Sequence, residues 1–247
     1  MTLYRDLLRP LLFRLDAERA HALAIGGAEV AGSMRACREA AHARLAPRSS
    51  RLAIEVAGLS MRSRLGLASR FDKSGRAVSV LSAFSFGHVE IGSVSASSSA
   101  GNPSPRLFRI PRDRGIVVNY GLPNDGASRV AQRLAQNPRC APVGANVVST
   151  NHGPNSAPVS DDAVIADYVQ AVGRLQPHCD YLCLNLSCPN TREGRGFFDD
   201  RQRLRELLAQ LGALGIVKPL FLKVAPFADV VSLRSEERRV GKECRSR

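Results

Sequence analysis

From Leu52 onward short apolar runs alternate with longer helical stretches, and this cadence limits the fold more than any other feature of the chain. The runs are Leu65–Ala68, His88–Gly92, Pro142–Val147, Asp180–Asn185 and Leu220–Ala225. Helical periodicity fills several of the gaps, at Ala127–Ala135, Asp161–Leu175 and Arg201–Leu214. Strand, helix, strand at this spacing predicts right-handed crossovers and a parallel sheet. Ahead of it, Leu52–Val56 with Leu59 and Met61 predicts a small hairpin. A closed barrel of such units has eight strands, and about five are read here, so the expected fold is α/β, an incomplete parallel (β/α)8 TIM barrel.

The N-terminal residues follow a different rule. Leu3, Leu7, Leu8, Leu11, Leu12 and Leu15 recur at three- and four-residue spacing, giving an amphipathic helical face broken near Pro10. A second helix is expected from Asp16 to Val30, with Ala20, Leu23, Ala24 and Ile25 as its buried side. Together they predict a small helical appendage over 1–45. Its interleaved arginines suit anionic lipid headgroups, and a helix pair packed on the domain explains the same pattern.

Composition narrows the function. No stretch approaches a spanning helix, and Arg5, Asp6, Arg9, Asp16 and Glu18 interrupt any signal-like core, so the expected location is the cytosol. The six cysteines show no paired C-x-x-C spacing and have no neighbouring histidines, which argues against a zinc site. A net charge of +13 invites a nucleic-acid reading, but aromatics are 5%, tryptophan is absent and the arginines are dispersed, so no nucleic-acid partner is expected. Residues 234–247 hold six basic and three acidic residues without apolar periodicity and follow abruptly on Phe221–Pro226. They read as the translation of a sequencing-library adapter, which predicts a native frame cut near Leu233, a partial barrel over 46–233 and a non-native tail at 234–247.

Chemistry gathers at the ends of the predicted strands. The run Asn185-Leu186-Ser187-Cys188-Pro189-Asn190 leaves a strand with a thiol framed by two amides, each able to donate to and accept from a flat polar ring. Asp72-Lys73-Ser74-Gly75 follows the first strand, Gly92-Ser93 the second and Asn146 the third. Lys73 is placed to neutralise a carboxylate or an electron-rich ring. Lys223 sits inside an apolar run, where a lysine is costly to bury unless it meets something anionic.

In this order the clusters resemble those of the dihydroorotate dehydrogenase family. The similarity covers about residues 1–230 and rests on Glu90-Ile91-Gly92-Ser93-Val94, on Gly101-Asn102 with Pro105-Arg106-Leu107-Phe108-Arg109, and on Asn185 to Thr191. The resemblance implies an FMN-containing (β/α)8 barrel that oxidises dihydroorotate to orotate in pyrimidine (UMP) biosynthesis. It implies that Ser69, Lys73, Ser93, Asn146, Asn185 and Lys223 contact FMN, with Lys223 facing the reduced ring. It also implies that Lys73, Asn119, Tyr120, Gly121, Leu122, Asn185 and Asn190 hold the substrate. Cys188 stands at the catalytic base, where a thiol near pKa 8.5 needs only a small push to become the thiolate. The appendage resembles that of the quinone-reducing class, implying a quinone acceptor and peripheral attachment to the inner face of the cell membrane.

Several positions depart from that pattern. Cysteine at 188 belongs to the soluble classes, whereas the quinone class usually has serine. Arg70 stands where the family usually has a glycine beside the flavin, and Asn119 comes one position later than the expected substrate asparagine, where Val118 stands. The family's later strands, with a further substrate asparagine and the phosphate-gripping loops, are not found, so the 247-residue chain is expected to bind FMN poorly and to be inactive. Two other readings remain open: another FMN-barrel pyrimidine reductase, or a basic binding module without catalysis.

Overall fold

The computed structural model describes residues 4–188 and 196–224. A π-helical turn, Tyr4–Leu8, leads into α1 (Arg9–Leu12), with Pro10 in the first turn, where its missing N–H costs nothing. Asp16 then caps α2 (Ala17–Ser33), its carboxylate accepting the N–H groups of Glu18 and Arg19 at 3.0 Å each. The buried side of α2 runs through Ala17, Ile25 and Gly32, with His21 and Ala28 half-buried between them. This corrects the expected face, because Leu23 is 61% exposed, Ala24 is also exposed, and Ile25 alone of the four is buried. The cause is close docking: a Cβ on Gly32 would lie 3.3 Å from that of Ser79, so small residues win the contact and leucine is turned outward.

A third helix, α3 (Arg35–Leu45), was not expected. It buries no residue, so no apolar stripe marks it, and it is tied to α2 by Arg38, which donates to the carbonyl of Gly32 at 2.8 Å. The expected hairpin is present as β1 (Ile54–Val56) and β2 (Leu59–Met61), antiparallel about the two-residue turn Ala57-Gly58 with φ of 50° and 78°. Leu65–Ala68 contributes less than the strand expected of it. It lies parallel to the next strand through one bridge, Leu67 to Val89, with Leu67 N–H donating to the His88 carbonyl at 3.0 Å.

The body of the domain follows as α4 (Val78–Leu81), β3 (Val89–Val94), β4 (Leu107–Ile110), β5 (Gly115–Val118), α5 (Ala127–Gln136), β6 (Val143–Val147), α6 (Asp161–Leu175), β7 (Tyr181–Asn185), α7 (Arg201–Gly212) and β8 (Leu220–Lys223). Strands β3, β6, β7 and β8 form one parallel sheet whose order repeats the chain order. The expected parallel α/β arrangement is therefore observed. Hairpin β4/β5 had no counterpart in the sequence reading, because Phe108 and Ile116 are 48% and 63% exposed and no buried face sets an alternation. It reaches back to the N-terminal helices through Arg106, which pairs with Glu18 at 2.7 Å, and Arg109, which donates to the Leu12 carbonyl at 3.1 Å.

Side chains alternate cleanly across the sheet. Val89, Ile91, Val143, Ala145, Val147, Leu182 and Leu184 point to one face and share an apolar cluster with Val130 and Leu134 of α5, Ile165 and Val172 of α6, and Leu207 and Leu211 of α7. The opposite face carries polar and aromatic groups. Docking of α2 is tested by truncation: Ile25→Ala should cost about 2–4 kcal/mol in urea unfolding, as a buried isoleucine does. Leu23→Ala should stay within about 0.5 kcal/mol.

Candidate active site

The polar face is built from the strand register. Gly92, Asn146, Cys183 and Phe221 pair across the four strands, and Asn185 pairs with Lys223 one step nearer the C-terminal ends. The register breaks between Gly92 and Val94, which turns Ser93 to this face as well. Gly92 has φ of 114°, and a Cβ there would meet the Asn146 carbonyl at 2.5 Å, so only glycine serves. Asn146, Asn185 and Ser93 are 0%, 3% and 4% exposed. Buried polar groups are tolerable only when paired. These form a chain: Asn185 Nδ2 donates to Ser93 Oγ at 3.0 Å, Ser93 donates to Asn146 Oδ1, and Asn146 Nδ2 donates to Glu90 Oε1 at 3.0 Å. Tyr168 fixes the near end, its hydroxyl donating to the Asn185 carbonyl at 2.7 Å.

The Lys73 loop closes over one edge of this face. Asp72, 1% exposed, accepts the N–H groups of Arg76 at 2.9 Å and Ala77 at 2.7 Å and so shapes the turn. Burial nevertheless raises its pKa above the ordinary carboxylate range. Lys73 Nζ sits 4.1 Å from the Tyr120 ring centroid and 3.4 Å from His21 Nε2. Burial, reinforced by Arg106 and Arg70 and opposed by Glu18 and Asp72, brings its pKa down to about 8. His21 is also lowered, by burial first and then by Lys73. Glu18 and His21 come from α2, and the sequence reading missed both as site residues. Their signal was available: Glu18, His21 and Ile25 lie on one helical face, so the docked side of α2 carries a charge and an imidazole inward.

The remaining candidates divide. Tyr120 is buried, its hydroxyl has no hydrogen-bond partner among the described residues, and burial pushes its pKa up to about 12. Leu122 packs with Val148 and Cys188, the thiol being 1% exposed, and Gly121 stands against Asn102. Arg70, Lys73, Gly92, Ser93, Val118, Tyr120, Leu122 and Pro123 enclose a cavity of about 20 Å³. Asn119 is not brought to it. Its side chain accepts from Asn102 Nδ2 at 2.9 Å on the exposed side, and Val118 takes the lining position. Arg70 has φ of 89°, a conformation that favours glycine, and its N–H donates to the Gly92 carbonyl at 2.7 Å. Ser69 is buried with an unpartnered hydroxyl. Lys223 ends β8 on the polar face, exposed and without an ion pair to any described residue. Asn190 lies outside the described residues.

The family model for dihydroorotate dehydrogenase matches residues 51–242. The chain belongs to the dihydroorotate dehydrogenase family. Among its relatives, the dihydroorotate dehydrogenase (quinone) of Mycobacterium sp. (strain KMS) is 38% identical over 219 residues, which is 89% of this chain and 59% of that protein. The counterpart from Thermobifida fusca (strain YX) is 40% identical over 239 residues, 91% of this chain and 60% of that one. The solved structure of DHODH from Eimeria tenella in complex with ferulenol superposes with a TM-score of 0.69 at 25% identity, covering 85% of this chain and 60% of that one. The ligand-free form gives 0.70 and covers 64% of its chain. The chain thus spans about three-fifths of the length of the relatives it matches.

Within this dihydroorotate dehydrogenase fold, the Lys73 ammonium has a pH signature. A lysine pKa lowered to about 8 means the unfolded chain holds more protons at this residue between about pH 8 and 10.5, so the contribution of Lys73 to folding stability should rise with pH across that window. The difference in urea stability between wild type and Lys73→Met should carry this rise from pH 7 to 10, because the buried thiols of Cys179 and Cys183, which act in the opposite sense above about pH 9, are common to both proteins.

Proposed function

We propose that the chain carries the flavin and pyrimidine site of an enzyme that oxidises dihydroorotate to orotate in UMP biosynthesis, with FMN as cofactor and a quinone as electron acceptor. The four-stranded sheet with its Leu67 bridge is read as five strands of a (β/α)8 barrel, a sheet that grows in one direction with chain order as a closing barrel must. Residues 46–233 form the barrel portion and 1–45 the appendage. The observation that carries the reading is the hydrogen-bonded row of buried amides and hydroxyl at the C-terminal strand ends, beside a lysine of lowered pKa. In parallel barrels chemistry is built at those ends.

The donor set fits FMN. Among the described residues, Ser69 offers a buried hydroxyl with no partner, Asn185 has an Oδ1 without a hydrogen bond, and Lys223 is exposed at the strand end. Ser69, Lys73, Ser93, Asn146, Asn185 and Lys223 would hold the group, which when bound supplies the acceptor for the hydride leaving C6 of the substrate. Lys73 neutralises the substrate carboxylate, while Tyr120, Gly121, Leu122, Asn185 and Asn190 frame its ring. Asn119 does not support this role from its position on Asn102, and Val118 adds apolar contact instead. Cys188, set between Leu122 and Val148, is the base that takes the C5 proton. Leu122 keeps water from the sulfur.

The acceptor side is supported by the N-terminal helices. Glu18, His21, Ile25, Lys73, Arg106 and Tyr120 line a cavity of about 510 Å³ between α2 and the Lys73 loop, a passage by which a quinone could approach the site. Leu7, Leu11, Leu23 and Val30 are 55%, 52%, 61% and 64% exposed, with Arg9, Arg14 and Arg19 exposed beside them, a surface suited to peripheral contact with the inner face of the cell membrane. No described helix is long and apolar enough to cross a membrane.

The reading is tested in a full-length protein that carries these residues in a completed barrel, loaded with FMN and mixed anaerobically with dihydroorotate. The visible flavin absorbance should fall as orotate forms, and Cys188→Ala should slow this by about 10²–10⁴-fold, the usual contribution of a positioned base. An FMN-loaded full-length protein that leaves dihydroorotate unchanged would overturn it.

A further inference from the structure

The buried row on the polar face has a direction, and Glu90 sets it. A carboxylate accepts hydrogen bonds and donates none, whereas a primary amide does both and can be turned either way round. Glu90 Oε1 lies 3.0 Å from the Asn146 amide, so Asn146 must present its NH2 there. Its Oδ1 then faces Ser93, whose single proton is committed to that oxygen. The serine oxygen is left as an acceptor, so Asn185 must present its own NH2, 3.0 Å away. Each orientation follows from the one before.

The consequence falls at the far end. Asn185 spends its NH2 on Ser93, its backbone carbonyl accepts from Tyr168, and its Oδ1 is the one acceptor of the residue without a hydrogen bond to any described residue. We infer that Glu90 is a positioning residue that fixes the polarity of the Glu90–Asn146–Ser93–Asn185 chain, so that Asn185 meets a bound ring as a hydrogen-bond acceptor and selects a ring N–H. Glu90 itself is held from the other side. Tyr181 donates to its Oε2 at 3.5 Å, and the Cys183 thiol, kept protonated by burial and by the Glu90 charge with its pKa pushed up to about 12, lies against it. Glu90 touches no reacting atom in this scheme. It acts across three strands through two intervening side chains, Gly92 and Asn146 being register partners on the first two and Cys183 lying beside them on the third.

The inference rests on the pyrimidine reading given above and goes beyond it, because it names the group on the ring that is recognised. Glu90→Gln keeps the size of the side chain while supplying an amide that can donate to Asn146 Oδ1, allowing the whole chain to reverse and Asn185 to present NH2 to the ligand. Glu90→Asp keeps an acceptor-only group. The binding of orotate and of its N1- and N3-methyl derivatives to the full chain, wild type and both variants, is measured by calorimetry, with circular dichroism and melting temperature recorded on each. Wild type should favour orotate over at least one methyl derivative by about tenfold or more, Glu90→Gln should lose most of that preference, and Glu90→Asp should retain it. Preference unchanged in Glu90→Gln, or lost equally in both variants, would overturn the role.

A ligand-free arm separates this from failure of the pyrimidine reading. In isotope-labelled protein, a scalar coupling across the hydrogen bond from Asn146 Nδ2 to the Glu90 carboxyl carbon should be present, and the Asn185 side-chain amide signals should move in Glu90→Gln although two residues lie between. Asn185 signals that stay in place overturn the polarity proposal whatever the ligand does. Wild-type protein that shows the coupling but binds neither orotate nor FMN refutes the functional reading alone.

Discussion

Everything at the site depends on keeping amides and a hydroxyl dry on one face of a parallel sheet. Strands buried in such sheets usually read as continuous apolar runs, because helices cover both faces. Here only the outer face obeys that rule, through Val89, Ile91, Val143, Ala145, Leu182 and Leu184. The inner face carries Glu90, Ser93, Asn146 and Asn185, and each unpaired group would cost about 1–3 kcal/mol. Mutual hydrogen bonding offsets this cost within the protein and leaves Asn185 Oδ1 without a partner among the described residues. The outer face stabilises the fold, and the inner face is thereby released for recognition.

The N-terminal helices complete the arrangement from outside the sheet. Glu18 with Arg106 and His21 with Lys73 bring together residues 88 and 52 positions apart. Lys73 therefore lies between the imidazole of α2 and the face of Tyr120, with its charge partly suppressed by burial. An anionic ligand arriving there would restore the full charge, so affinity for the ligand and protonation of the lysine are linked. The same contacts join the helix that carries the exposed Leu23 to the Lys73 loop.

Much of this was legible in the sequence where periodicity and burial agree. The helices at α5, α6 and α7 and the strands β3, β6, β7 and β8 follow apolar patterns that the structure buries. Ser93, Asn146 and Asn185 were singled out because each stands near the end of an apolar strand, and Lys73 because it follows an apolar run that makes a single bridge to β3. The pattern failed where burial and apolarity part company. Helix α3 buries nothing, and Leu23 is displaced from the docked face by the smaller Gly32. The β4/β5 hairpin is held by arginines and not by a core, and the choice of Val118 over Asn119 depends on which way one turn faces. Spacing puts Glu18, His21 and Ile25 on one face of α2, but that this face docks beside Lys73 is a fact of tertiary packing. Arg70 was marked in advance as a misfit, and its φ of 89° gives that misfit a physical form.

The central claim, that the inner face is a recognition surface and not a structural one, is tested most directly at Ser93, the joint between the two buried amides. FMN binding to wild type and Ser93→Ala can be followed by quenching of flavin fluorescence, alongside urea unfolding of both proteins. The account predicts an affinity loss of about tenfold or more as the two amides lose their fixed orientation, with stability to unfolding lowered by about 1–3 kcal/mol for each of the two buried amide groups that Ser93 pairs. Equal FMN affinity in the two proteins would contradict it.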